Sequence, residues 1–140
     1  MFDMALEELE ELPLAVRNTT RAAELQAAIF CETKDWDALR NMAERLVNEN
    51  PRDSQNWIWL GYATRRCRTI QEAEQVLLNA VQVHDREPMI HFNLACYAAQ
   101  TGDLAIAHER LFRAIALDPD VKQMALYDPD LEPLRAALNW

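Results

Sequence analysis

The sequence predicts an all-α protein, an α-solenoid of three helix pairs with capping helices at its N- and C-terminal ends. Its 140 residues include only two glycines and one serine, so the chain is poor in the residues that hairpins and long loops require. Half of the residues are hydrophobic and 26% are charged, which is typical of a folded, soluble domain. Apolar residues recur at helical spacing, in a pattern that repeats every 34 residues.

The 34-residue repeat is visible in residue identities as well as in spacing. A shift of 34 places Leu111 on Leu77 and Ala114 on Ala80. The three units of the repeat are 20–53, 54–87 and 88–121. They are flanked by an acidic segment, 1–19, which we expect to cap the array or to dock on a partner, and by a C-terminal cap, 122–140. One helix pair exposes too much apolar surface to be stable alone, whereas a stack of about three buries a continuous core.

Each unit is predicted to contain two helices. In the middle unit the first helix places on one stripe Trp57, Leu60, Gly61 and Thr64, and the second places on one stripe Ala73, Val76, Leu77, Ala80 and Val81. Ser54 is the predicted N-cap of the first of these helices. Thr101–Asp103 predicts the turn within the third unit. Pro51 and Pro119 are predicted to end the first and third units, because proline stops a helix.

Small residues mark the positions where the two helices of a pair are predicted to approach closely. On the first helices these are Gly61 and Ala95, and on the second helices Ala73, Ala80, Ala107 and Ala114. A larger side chain at such a position pushes the two helices apart.

The quoted residues resemble those of the tetratricopeptide repeat family. The resemblance rests on W-I-W-L-G-Y (57–62) with E-A (72–73) in the middle unit, and on N-L-A (93–95) with A-I-A-L-D-P (114–119) in the third. It covers residues 20–121. Three positions depart from the family pattern: Asp85 replaces a proline, Arg68 a glycine and His91 an aromatic residue.

The resemblance implies a non-enzymatic interaction module that binds a partner protein or peptide. In this family the first helix of each pair lines a concave groove, which here begins with Glu24, Ala28 and Cys31. The candidate partner-binding residues are Ile58, Tyr62, Arg65, Met89, Phe92, Cys96 and Ala99. They form an apolar, partly aromatic strip on which Arg65 orients the ligand. The basic clamp by which some members hold acidic C-terminal tails is not supported, because Glu24, Ala28, Ile58 and Tyr62 occupy its place.

Two functions are compatible with this strip. The first is a small chaperone or adaptor, and the three-repeat layout with an acidic isoelectric point also resembles the class II chaperones of type III secretion. The alternative is a self-associating scaffold, a homo-oligomer whose groove is filled by its own or a neighbour's terminal helix. Arg65, Arg66 and Arg68 form a basic cluster that could receive an acidic partner segment or residues 7–11 of another subunit, or could simply be solvated.

Charge argues against two classes of partner, and the cysteines indicate the cellular compartment. The net charge of −9 repels nucleic acid and anionic membranes, so neither is an expected partner. The acidic start is unlike a secretory signal, and no apolar run is long enough to span a membrane. The three cysteines lack a C-x-x-C pair, which favours reduced thiols in a cytoplasmic protein.

No catalytic constellation is evident in the sequence. Ser54 lacks a G-x-S-x-G context, and the two glycines are too isolated to form a phosphate-binding loop. His84, His91 and His108 do not have the spacing of metal ligands. We therefore expect no enzymatic activity, no metal and no cofactor.

Overall fold

The computed structural model describes residues 20–140, and the predicted all-α class is confirmed. The described part of the chain contains eight α-helices and one short 3₁₀-helix, Pro129–Leu131, and no strand. The α-helices are α1 (Thr20–Glu32), α2 (Trp36–Glu49), α3 (Ser54–Cys67), α4 (Ile70–Val81), α5 (Pro88–Gln100), α6 (Leu104–Leu117), α7 (Val121–Tyr127) and α8 (Glu132–Leu138). The acidic segment 1–19, with the N-terminal cap expected there, lies outside the described residues.

The first residues of the paired helices repeat the sequence period. Helices α1, α3 and α5 begin at residues 20, 54 and 88, and helices α2, α4 and α6 begin at residues 36, 70 and 104. Both series advance by 34 residues at each step. The period read from the apolar pattern is therefore the period at which the backbone enters each helix.

The described residues pack into two compact units. The first unit ends at Ala73, and the second runs from Glu74 to Trp140, so the boundary lies within α4. In the first unit α1 packs on α2 and α2 packs on α3. In the second unit α5 packs on α6, and α5 is also contacted by the 3₁₀-helix and by α8.

Small residues form the contact between α5 and α6, as the sequence predicts. Ala95 on α5 is fully buried, and so are Ala107 and Ala114 on α6. Leu111, which lies between these two alanines, is also fully buried. Alanine at these positions lets the two helices approach closely enough for larger neighbours such as Leu111 to fill the core.

The turn between α5 and α6 has a glycine in the left-handed region, whereas the turn between α1 and α2 has a lysine there. Gly102 has a φ of +87°, and Asp103 N–H donates to the Ala98 carbonyl at 2.9 Å. The equivalent residue in the first repeat is Lys34, with a φ of +59°, and Asp35 N–H donates to the Phe30 carbonyl at 2.9 Å. Both are Schellman-type helix ends. A side chain in this region costs about 1–2 kcal/mol, so the Lys34 turn is strained.

Acidic side chains cap most of the paired helices. The prediction that Ser54 caps α3 is wrong by one residue, because Asp53 is the cap and accepts from Gln55 N–H at 3.0 Å. Asp103 caps α6 in the same way, accepting from Ile106 N–H at 3.2 Å. An ionised carboxylate at an N-cap also interacts favourably with the helix dipole, which a serine cannot do.

His91 replaces an aromatic residue without losing the hydrogen bond that its counterpart makes. In the middle repeat Trp57 Nε1–H donates to the Pro51 carbonyl at 2.8 Å. Thirty-four residues later His91 Nε2 lies 2.6 Å from the Asp85 carbonyl. The nitrogen facing a carbonyl must carry the hydrogen, so Nδ1 is left to accept from Arg110 at 3.3 Å. His91 and Asp85, two of the departures from the family pattern, are thus joined by a contact equivalent to that between Trp57 and Pro51.

The C-terminal segment, predicted as a cap, is helical for most of its length. It consists of α7, the 3₁₀-helix and α8, and it buries Val121, Leu131 and Leu134. Arg135 Nη1 donates to the carbonyls of Ala125 and Asp128, which holds the three elements together. None of the helices in the described part of the chain combines the length and the apolar character needed to cross a bilayer.

Replacing Ala114 by leucine is expected to lower the free energy of unfolding by about 1–3 kcal/mol, because the added side chain overpacks the buried contact of α6. Urea unfolding followed by circular dichroism measures the change. The matched control is Ala116→Leu, at an exposed position on the same helix. Equal losses in the two variants would show that close packing at Ala114 is unimportant.

Candidate interaction surface

An aromatic and cationic cluster lies on the surface of the first unit. The rings of Trp36 and Tyr62 meet edge to face, with their centroids 5.5 Å apart. The guanidinium carbon of Arg66 lies 3.9 Å from the centroid of Tyr62 and 5.0 Å from that of Trp36. Arg66 Nη2 also donates to the Tyr62 hydroxyl at 2.9 Å. The guanidinium group is therefore held against both rings by cation–π attraction and a hydrogen bond.

These three side chains form one wall of a pocket, which we call the aromatic–arginine pocket. It is lined by Cys31, Glu32, Lys34, Trp36, Tyr62 and Arg66. Trp36 and Tyr62 are only half-buried, and Lys34 and Arg66 are exposed. The pocket therefore offers aromatic surface and two cations to solvent, against a single carboxylate.

Three helices of the first unit position the pocket. Cys31 lies in the last turn of α1, and Trp36 is the first residue of α2. Tyr62 and Arg66 are four residues apart on α3, which places them one turn apart on the same face. The packing of α2 against both α1 and α3 brings the three parts together. The strained Lys34 turn between α1 and α2 carries its amine to the same place.

Cys31 and Cys67, the thiols of the first unit, are partly buried and weakly acidic. Burial raises the pKa of Cys31, and the charge of Glu32 raises it further, while Arg66 opposes both. Burial also raises the pKa of Cys67, whose thiol donates to Asp37. Both residues are protonated at neutral pH and are therefore poor nucleophiles.

The inner face of α5 is covered in the second unit. Phe92 is 2% exposed, and Cys96 and Ala99 are each 3% exposed. The 3₁₀-helix and α8 pack on α5, and Gln100 Nε2 donates to the Asp130 carbonyl at 2.8 Å. The chain's own C-terminal cap thus lies against the helix that carries these residues.

Three potential metal ligands meet where the cap contacts α5. Oxygen or sulfur atoms of Cys96, Asp128 and Asp130 lie within 4.8 Å of one another. The Asp128 carboxylate already accepts a hydrogen bond from Asp130 N–H at 2.9 Å, as the N-cap of the 3₁₀-helix. The three residues therefore lie close together because the C-terminal cap packs on α5.

The fold is shared with solved structures at low sequence identity. MamA of strain RS-1, solved as the ArsTM double mutant, aligns with a TM-score of 0.73 at 18% identity, covering 85% of this chain and 67% of MamA. The chaperone SycD of Yersinia enterocolitica, solved with a peptide of the translocator YopD, gives 0.71 at 20% identity, covering 83% of this chain and 89% of SycD. PcrH, solved with the chaperone-binding region of PopB, gives 0.66 at 20% identity, covering 91% and 94%.

The chain has a tetratricopeptide-type fold. No protein-family model matches its sequence, and no curated protein matches it.

The tetratricopeptide-type fold places the predicted binding residues on two helices. Ile58, Tyr62 and Arg65 lie on α3 and are half-buried. Of the four predicted residues on α5, Met89 is half-buried and the other three are buried. Tyr62 is brought into the aromatic–arginine pocket together with Cys31, which the sequence also assigned to the inner face. Arg65 does not line this pocket. Whether any of these residues binds a partner stays a prediction.

Trp36 and Lys34 line the pocket although neither is among the binding residues predicted from the sequence. Trp36 opens a second helix, and Lys34 lies in a turn, so neither belongs to the helix face that lines the groove in this fold. Arg66 was predicted, with Arg65 and Arg68, as part of a basic cluster that could receive an acidic segment, but its contact with the aromatic rings was not predicted. The available signal was its position four residues after Tyr62, which allows a guanidinium group to stack on the ring.

We expect Cys31 and Cys67 to react slowly with iodoacetamide at neutral pH, because a raised pKa lowers the thiolate fraction of each. Their rates should keep rising with pH beyond the range in which an ordinary thiol is fully ionised. Mass spectrometry of digested protein measures each site, with the urea-unfolded chain as the control. Rates equal to those of the unfolded chain at neutral pH would contradict the shielding.

Phe92→Ala is expected to lower the free energy of unfolding by about 3–5 kcal/mol, because it empties a buried site. Tyr62→Ala should lower it less, since that ring is half-exposed. Urea unfolding of the two variants makes the comparison. If both lost the same amount, Tyr62 would be a core residue and not a surface one.

Proposed function

We propose that this chain is a non-enzymatic interaction module that binds a segment of a partner protein at the aromatic–arginine pocket. The observation that carries this proposal is the stack of Arg66 on Tyr62 and Trp36, at 3.9 and 5.0 Å, on an accessible surface. Tryptophan, tyrosine and arginine are the residues that contribute most often to binding energy at protein interfaces.

The stack favours binding because it is already ordered. Arg66 and Tyr62 are fixed to each other by the 2.9 Å hydrogen bond, so a ligand does not have to immobilise two free side chains. Ordering such side chains typically costs about 0.5–1.5 kcal/mol each. Because the side chains are already ordered, less of the binding free energy is lost to ordering them.

The chemistry of the pocket indicates the kind of segment that fits. Its cations are Lys34 and Arg66, and its one carboxylate is Glu32. Trp36 and Tyr62 supply apolar surface beside these charges. A segment that combines an apolar anchor with an acidic side chain complements both features. We therefore propose that the partner segment is acidic and amphipathic. A small chaperone or adaptor would hold such a segment on this surface.

The solved structures of similar fold support a peptide ligand by analogy alone. SycD was solved with a peptide of YopD, and PcrH with the chaperone-binding region of PopB. At about 20% identity these likenesses concern the fold, and a fold hosts many functions.

A self-associating scaffold is the second candidate, and the cover on α5 favours it. Phe92, Cys96 and Ala99 are buried, and the chain's own C-terminal cap packs on the same helix. A groove filled in this way would leave other surfaces for assembly. Phe112 and Trp140, whose rings meet at 5.8 Å, are exposed in the second unit and are candidates for such a contact.

Selection of peptides from a random display library on the full chain tests the first candidate. We expect the selected peptides to pair an apolar residue with Asp or Glu, and Tyr62→Ala to weaken their binding by about tenfold or more, measured by fluorescence anisotropy. Phe112→Ala is the matched control, an exposed aromatic residue of the second unit. The scaffold candidate is favoured instead if Tyr62→Ala has no effect and sedimentation shows an oligomer that Phe112→Ala dissociates.

A further inference from the structure

The chain carries within itself a segment with the chemistry that the aromatic–arginine pocket fits. Residues 6–12 read Leu-Glu-Glu-Leu-Glu-Glu-Leu and contain no basic residue. Their three leucines recur at a helical spacing, and the four remaining residues are glutamates. We infer that residues 6–12 of the same chain dock on the aromatic–arginine pocket and occupy it until a partner segment displaces them. The inference rests on the proposed function, since it assigns a resident competitor to the same surface.

Charge complementarity supports this occupant. The chain as a whole is acidic, with a net charge of −9, and four of its carboxylates are concentrated between Glu7 and Glu11. The pocket presents Lys34 and Arg66. A further cation, the exposed Arg68, follows the C-terminal end of α3. The opposing charge in the pocket is Glu32 alone. A segment with four negative charges is therefore attracted to this pocket, whereas the net negative charge of the chain repels it.

Apolar complementarity supports the same occupant. Leu6, Leu9 and Leu12 need an apolar surface if they are to leave water, and the half-buried rings of Trp36 and Tyr62 provide one. Burial of a leucine side chain contributes about 1.5–3 kcal/mol. The leucines would lie on the rings while the glutamates reach the cations at the rim.

The connecting chain is long enough for docking within one molecule. Eight residue steps separate Leu12 from Thr20, and an extended chain covers roughly 3.3–3.6 Å per step, or about 26–29 Å in all. From Thr20 to Cys31 the helix α1 rises by roughly 16–17 Å, at about 1.5 Å per residue. Residues 13–19 can therefore run back along α1 and bring the acidic segment to the pocket.

The strained turn at Lys34 is consistent with a role for its amine in this surface. The equivalent turn in the third repeat has Gly102, with a φ of +87°, and so avoids the penalty for a side chain in the left-handed region. Lys34 incurs that penalty and is one of the two cations that line the pocket. Backbone strain at non-glycine residues is found more often at functional sites than elsewhere.

The chain offers a matched internal control for testing this docking. It has two lysines, Lys34 and Lys122, and each lies near aromatic rings. The Lys122 ammonium lies 5.1 Å from the centroid of Trp140 in the second unit, whereas Lys34 lines the aromatic–arginine pocket. A carbodiimide joins a carboxylate directly to an amine without a spacer, so its yield is highest for pairs that spend most time in contact.

The experiment treats the full chain with carbodiimide at low ionic strength and identifies the joined peptides by mass spectrometry. We expect cross-links from Glu7–Glu11 to Lys34 to exceed those to Lys122 by at least about tenfold, and to fall severalfold in high salt as screening weakens the attraction. Arg66→Ala should lower the Lys34 cross-link at least about threefold. Arg113→Ala, which removes a cation of the second unit, should leave it unchanged.

Equal cross-linking to both lysines would overturn the inference, and so would a Lys34 cross-link that Arg66→Ala and salt leave unchanged. A mixture of normal and ¹⁵N-labelled chains distinguishes docking within one copy from docking between copies. Mixed-isotope cross-links at the statistical frequency would overturn docking within the chain and assign the contact to a second copy. The proposed function fails independently, when Tyr62→Ala leaves the affinity of selected peptides unchanged.

Discussion

Close packing of helix on helix through small side chains is the constraint on which the rest of this structure depends. Ala95, Ala107 and Ala114 are fully buried, and they allow α5 and α6 to approach until Leu111 fills the space between them. In the first unit the buried Ala23, Ala27 and Ala63 belong to the core with Leu39 and Leu46. This packing fixes the end of α1, the start of α2 and the face of α3, which together bound the aromatic–arginine pocket.

The repeats reach similar local structures with different residues, because the fold constrains geometry more strongly than identity. Trp57 and His91 donate to equivalent carbonyls from unlike rings, at 2.8 and 2.6 Å. Gly102 and Lys34 occupy equivalent left-handed turns. The side chain thus differs between repeats while the local hydrogen bond is kept. The same constraint operates between proteins, since the chain shares its fold with SycD and PcrH at about 20% identity.

The two compact units contribute different kinds of surface. In the second unit α5 is buried on nearly every side, and the C-terminal cap supplies part of that cover. A solenoid needs such a cap because its last helix pair otherwise exposes apolar surface. In the first unit Trp36 and Tyr62 are half-buried, and Lys34 and Arg66 are exposed. The site proposed to bind an acidic, amphipathic segment is therefore in the first unit.

The sequence by itself determined the helical class, the 34-residue period, the turn at Gly102 and the small residues of the core. These features depend on local periodicity and on side-chain volume, which are written directly in the residue order. Tertiary structure alone decided that Phe92, Cys96 and Ala99 are buried and that Trp36, Lys34 and Arg66 surround Tyr62. Both outcomes depend on contacts between residues far apart in the chain. A helical pattern shows which residues share a face, but only the packed neighbours determine whether that face is covered.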